Sequence, residues 1–241
     1  MNRSIRILIL ATYLQLLNYS RIKQAVFFSV MFPVLIFVLF GNIWGHGDSA
    51  YLFFLLTGVI TATTASEGLF ATGPVIKQYF NNNLIKFFRN LPFSVILHFL
   101  GMFFSRIGVM LLTFELLLLS FVFLFGGQLT LSQVAMSLLG MGLGFILFSF
   151  IGLLLSFYGR EESGRGGLTG LLYFFMLFTT DVYYPVSTMN PLFGKFTFLF
   201  PTTYLLKFMR GDWTFLLPVL AWVLVPAVLF YYVFNHTQVK R

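Results

Sequence analysis

The chain has 241 residues and a net charge of +8; 59% of its residues are hydrophobic, 20% aromatic and 9% charged, against about 25% charged in an average soluble domain. So little polar surface excludes a water-soluble globule and makes the bilayer the solvent for most of the chain. The lack of cysteine excludes disulfides, thiolate metal sites and a cysteine nucleophile, and since Lys and Arg fall between apolar runs, the positive charge reads as membrane topology rather than a nucleic-acid surface.

The first segment, 1–24, opens with Arg3 and Arg6 around an apolar stretch that resembles a signal peptide, but no small-residue cleavage pattern follows. Arg3, Arg6, Asn18 and Arg21 share one broad face at about 100° per residue, which predicts a helix over 3–22 lying on the cytoplasmic membrane surface. A span needs roughly 20 apolar residues. Six runs supply them, at about 25–43, 51–72, 95–125, 131–157, 168–184 and 215–234. Runs this long satisfy their backbone as helices and not as the alternating strands of a barrel. The predicted fold class is therefore all-α: one polytopic transmembrane domain with six transmembrane helices. Spans one and two fall within 25–72, three and four within 94–157, five at 168–184 and six at 214–235. The third run exceeds one span, so its first turns near 92–98 are expected along the interface, and the fifth is short.

With both termini cytoplasmic, the inner segments, including the connections 73–93 and 158–167, hold eleven of the fifteen Lys and Arg residues, while the short outer connections 44–50 and 126–130 hold none. The last outer segment, 185–213, is too polar for a span and too apolar for a solvated loop. Pro185, Pro191 and Pro201 divide it, which predicts two short re-entrant helices before span six, about 191–199 and 202–210, with Lys195, Lys207 and Arg210 reaching for headgroups.

Three ionisable residues fall inside spans, where each costs roughly 2.5–3.5 kcal/mol on insertion scales. Glu67, near the inner end of span two, and Arg106, in span three, match in depth and can pair; the pair reads either as a packing tie or as part of a transport site. Glu115 lies about 180° around the helix from Arg106 and needs another span or a water-filled cavity. Gly140 and Gly144 form a GxxxG in span four, which permits close helix approach. The hydroxyls of Thr57, Thr61, Thr63, Thr64 and Ser66 either line a cavity or bond back to their own helix. No catalytic constellation and no metal-ligand spacing occur, since His46, His98 and His236 are scattered.

At this point the residues resemble a known family, the ABC-2 type permeases of ATP-binding-cassette exporters. The most specific likeness is Tyr184-Pro185-Val186-Ser187-Thr188-Met189-Asn190-Pro191, followed by Phe200-Pro201-Thr202-Thr203-Tyr204 and Arg210. It is similar to the family's Phe-Pro-x-Ser-x-x-Pro, Pro-x-x-Tyr and terminal Arg pattern. Pro33, followed by Gly41, also sits where such permeases place a proline in the first span. The resemblance covers essentially the whole chain. It implies that Lys77, Lys86 and Arg89 belong to a coupling helix seated on a separate ATPase, although 73–83 lacks the acidic residues that family members often carry there. Arg160, Glu161 and Glu162 would form a second contact, beside the plain reading of a solvated loop.

No GxxxxGK[ST] loop is present, so the chain is expected to be no enzyme and to bind no cofactor or metal, with ATP and Mg on the partner ATPase. The resemblance further implies two ATPase subunits, a second permease that is identical or homologous, surrounding membrane lipids, no nucleic acid, and the plasma membrane of a prokaryote. The implied activity is export of a lipid-like compound or drug by alternating access. The rival is an ion- or proton-coupled secondary transporter using Glu67, Arg106 and Glu115.

Overall fold

The computed structural model describes residues 3–45, 47–82, 84, 94–158, 165–189 and 191–238, and every regular element among them is helical. The order is α1 (Arg3–Arg21), α2 (Lys23–Trp44), α3 (Ser49–Ser66, continuing through a π-helical turn at Glu67–Thr72), α4 (Gly73–Asn81), α5 (Val95–Leu119, continuing through a π turn at Ser120–Leu124), α6 (Leu131–Tyr158) and α7 (Arg165–Thr179). Three short helices follow, α8 (Val186–Met189), α9 (Pro191–Thr197) and α10 (Pro201–Met209), and then α11 (Leu216–Gln238). Among the described residues five helices are long and apolar enough to cross a membrane: α2, α3 with α4, α5, α6 and α11. The apolar run expected as span five forms α7, which has only 15 residues and is about 22 Å long against a hydrocarbon core of about 30 Å.

Helix α7 stops five residues short of the apolar run read at 168–184, because the chain from Thr180 onward makes other bonds. The Asp181 carboxylate accepts from the backbone N–H of Ser187 at 2.8 Å and from its hydroxyl at 2.6 Å. The Val182 carbonyl packs directly onto Gly58, where a Cβ would lie 1.7 Å from its oxygen. A bend at 180–185 thus replaces the last helical turn.

Helix α3 is the axis of the fold. It carries the least apolar sequence of the five candidate spans, yet 78% of its best span window is buried, against 11% for α11. The two facts have one cause, since hydroxyl-bearing residues are least costly where other helices rather than lipid surround them. Thr61, Thr63 and Thr64 donate to the carbonyls of Thr57, Val59 and Ile60 in the preceding turn, at 2.9, 2.8 and 2.7 Å. Their hydroxyls are satisfied within α3 itself.

The π turn at the end of α3 and the start of α4 cross α6 with backbones in contact. A Cβ on Gly73 would lie 2.2 Å from the Gly152 oxygen, and one on Gly68 would lie 2.5 Å from the Phe148 Cβ. Further along α6, Met209 seats on Gly140 and Leu205 on Gly144, so the GxxxG docks α10 inside the chain. Helix α1 runs beside the first half of α5, with Ala11 against Gly101.

Pro33 explains the π turn of α2, Phe27–Met31. Proline has no N–H to offer the carbonyl four residues back, and its ring crowds that carbonyl. The orphaned group is the Ser29 carbonyl, and the Thr113 hydroxyl of α5 donates to it at 2.9 Å. The defect in α2 is thereby converted into a bond between two helices.

Candidate functional site

A partly open cleft of about 660 Å³ lies between α2, α3, α7 and the bend that follows α7. Its wall on α2 is Phe28, Phe32, Ile36, Phe40 and Trp44, spaced four apart and therefore on one helix face. Helix α7 contributes Tyr173, Phe174, Leu177 and Phe178, and α3 contributes Val59, Ala62, Thr63, Ser66 and Glu67. Nine of the twenty lining residues are aromatic and Glu67 alone is charged, so the cleft is built for apolar or aromatic groups. Polar bonds hold its walls: the Tyr173 hydroxyl donates to the Ala62 carbonyl at 3.2 Å, and the Tyr51 hydroxyl to the Tyr183 carbonyl at 3.3 Å.

Glu67 closes one end of the cleft and is held directly by two other elements, with a third behind them. Its carboxylate accepts from the Ser29 hydroxyl of α2 and forms an ion pair with Arg106 of α5 at 3.5 Å. The Arg106 guanidinium lies 4.6 Å from the ring centre of Tyr19 in α1, a cation–π contact, and the Tyr19 hydroxyl donates to the Ala25 carbonyl at 2.9 Å. The Glu67 side chain is 5% exposed and that of Arg106 20%. The charges of Glu67 and Arg106 compensate each other, and the cluster joins α1, α2, α3 and α5 at one level.

The second cluster centres on Arg210, at the end of α10. Its Nε donates to the Thr57 hydroxyl at 3.1 Å, and its Nη2 donates to the carbonyls of Phe54 at 3.2 Å and Asp181 at 2.6 Å. The guanidinium carbon sits 3.8 Å from the Phe54 ring centre. Arginine suits this place because a planar fork can serve three acceptors while stacking on a ring. Desolvation lowers its pKa to about 10, opposed by the charge of Asp181, so it remains protonated at neutral pH. Arg210 thus ties α10 to α3 and to the bend beside the cleft.

Of the other residues singled out in the sequence, Pro33, Tyr184 and Val186 also line the cleft, whereas Lys77, Pro185, Pro201, Tyr204, Lys207 and Glu115 are not among its lining residues. Lys77 Nζ of α4 donates to the Ser156 carbonyl of α6 and lies 5.7 Å from the Phe157 ring centre. Lys86, Arg89, Arg160, Glu161 and Glu162 lie outside the described residues. Pro185 closes the bend, where its carbonyl accepts from Thr188; Pro191 and Pro201 are the first residues of α9 and α10. The Tyr204 hydroxyl donates to the Phe198 carbonyl at 2.9 Å. Lys207 lies 4.3 and 4.8 Å from the rings of Phe198 and Phe215. Glu115 is exposed on α5 and joins neither the cleft nor the Glu67 cluster. Among the described residues no group of three or more His, Asp or Glu side chains could hold a metal.

Several site residues escaped the sequence reading. The four-residue stripe from Phe28 to Trp44 is a visible signal, hidden by the abundance of Phe in this chain. Ser29, Tyr19 and Asp181 carried no signal, because their partners are 38, 87 and 6 residues away and depend on a π turn, a docked helix and a bend.

The family profile described as ABC-2 type transporter matches residues 7–212, from within α1 to just beyond α10. No curated protein matches the chain.

Proposed function

The chain belongs to the ABC-2 type transporter family, and on that premise we propose that the aromatic cleft between α2, α3 and α7 forms one wall of its translocation pathway. The chain is the membrane permease of such a transporter, and permeases of this family work with ABC ATPase subunits, which carry the ATP-binding motifs. The single observation that carries the pathway assignment is the cleft itself: it is large, nearly all apolar, and its one carboxylate is already neutralised by Arg106. A hydrophobic or amphipathic substrate, a lipid-like compound or a drug, suits such a lining.

Six spans with both termini cytoplasmic accommodate the distribution of Lys and Arg, with α7 as the short fifth span and α8 to α10 as the re-entrant outer segment. Helix α4 then lies on the inner side as the coupling helix. It continues α3 and is bound to α6 through Lys77 and through the Gly73–Gly152 crossing. A push delivered at α4 by a closing pair of ATPase subunits would tilt α3, and with it one wall of the cleft. The flanks of the cleft expose Phe28, Phe32, Leu35 and Leu39 on α2 and Phe174 and Phe178 on α7, a surface that a second permease, identical or homologous, would close. The carrier alternative draws less support, since Glu115 stands away from Glu67 and Arg106.

The native chain has no cysteine, so single labels are clean. Phe28→Cys and Phe178→Cys, reacted with a bulky maleimide in vesicles that also contain the ATPase, should lower export of a lipophilic dye about tenfold. Leu217→Cys, on the exposed face of α11, serves as control. Undiminished export after complete labelling of both cleft positions would remove the cleft from the pathway. Dye transport by the lone chain on an ion gradient would favour the carrier instead.

A further inference from the structure

Glu115 is exposed on the outer face of α5, surrounded by leucines that are exposed with it: Leu111 and Leu112 one turn before, at 37% and 49%, and Leu119 one turn after, at 49%. Among the described residues no hydrogen bond or ion pair reaches its carboxyl group. Its depth follows from its neighbours along α5. Nine residues, about 14 Å of helix, separate it from Arg106, and nine separate it from Leu124 at the other end of the candidate span. Arg106 marks one edge of the apolar zone, since it pairs with Glu67, which lies 18 residues from the start of α3. Glu115 therefore sits at mid-depth, on a face that no other helix among the described residues covers.

We propose that this face of α5 is a docking surface for a second transmembrane segment, one that carries a Lys or Arg near its midpoint. An ionisable side chain at mid-membrane nearly always faces a partner or a cavity, and here neither is supplied from within. Charge complementarity selects the occupant. Among its described residues a second copy of this chain has nothing suitable to offer, because their basic side chains sit near helix ends, in the outer segment, or in the pair with Glu67. A separate segment with a central basic residue satisfies the carboxyl group and covers Leu111, Leu112 and Leu119 in the same contact. The inference is independent of the cleft and of the substrate, and would hold whatever the transporter carries.

The test uses the full chain in lipid vesicles, with a donor dye on Leu124→Cys at the exposed end of α5. An acceptor-labelled synthetic span of leucines with one central Lys is compared with its all-leucine twin at equal peptide-to-lipid ratio. The Lys peptide should associate about tenfold more strongly than the twin, the order expected of one interhelical hydrogen bond in lipid. Glu115→Leu should abolish the difference, and Glu115→Gln should retain part of it. Glu115→Leu matches its surroundings, and an unchanged melting temperature verifies that its fold is kept. Equal association of both peptides overturns the proposal, as does a preference for Lys that survives Glu115→Leu. Energy transfer between two labelled copies of this chain without any peptide, lost in Glu115→Leu, would make the occupant a second copy and also overturn it.

Discussion

Replacing Arg210 by methionine tests whether the end of α10 is held by its guanidinium. Methionine keeps the unbranched apolar stem, ending near the position of Nε, and removes all three hydrogen bonds, to Thr57, Phe54 and Asp181. Two of those acceptors lose little. The Phe54 carbonyl still accepts from the Thr57 hydroxyl at 2.9 Å, and that hydroxyl keeps its own acceptors. The Asp181 carbonyl is left behind, at about 1–3 kcal/mol for an unsatisfied buried acceptor. Loss of the cation from the Phe54 face adds about 1 kcal/mol. Release of the guanidinium from a partly desolvated site offsets some of this, leaving a net destabilisation of about 1–3 kcal/mol. For a chain of this length that corresponds to a fall of about 2–12 °C in Tm. Trp213, packed on Phe208 at 5.6 Å between ring centres, reports locally in a fluorescence melt of detergent-purified protein. Arg210→Lys, which keeps the charge but can satisfy fewer acceptors, should fall between. A methionine variant that melts within about a degree of the native protein would refute the assignment of Arg210 as a tie.

Gly73→Val places two methyl groups against the Gly152 backbone, where no side chain can move aside. It should destabilise by about 3 kcal/mol or more, seen as a lower Tm and loss of the folded peak in gel filtration. Glu67→Gln removes the charge that answers Arg106 and should cost about 2 kcal/mol, whereas the pair Glu67→Gln with Arg106→Met should recover part of that loss in a double-mutant cycle; strict additivity would show that the ion pair is inert. Thr113→Val withdraws the side-chain donor that, among the described residues, reaches the Ser29 carbonyl and should lower stability by about 1–2 kcal/mol. The same change in a Pro33→Ala background should lower it by much less, because the restored N–H takes over that carbonyl.

Much of the helical framework was legible because the signals that place it are local. Prolines cannot continue a helix from the preceding turn but start one well, and α9 and α10 begin at Pro191 and Pro201. Glu67 and Arg106 could be matched by depth alone, since two charges counted from helix ends in a membrane must lie at comparable levels to meet. What stayed hidden is non-local. Nothing in the run 168–184 marks Thr179 as the last helical residue. That end is set by Gly58, Arg210 and Ser187, each reaching Asp181 or Val182 from elsewhere in the chain. The cleft is a relation among three helices, and a stripe of phenylalanines on α2 looks the same whether it faces lipid, a core or a pathway. The π turn of α2 could be anticipated from Pro33, but not the identity of the hydroxyl that exploits it.

The placement of the threonine-bearing helix α3 at the axis bears on how this protein is made. It is the second candidate span to leave the ribosome, while two of the helices that enclose it, α5 and α6, are synthesised later. During that interval Glu67, at its inner end, lacks the counter-charge of Arg106 on α5. Delayed release of α3 from the translocation channel or an insertase until α5 arrives would spare the cost of that unpaired charge in lipid. Chains arrested before α5 would accordingly be targets for membrane quality control.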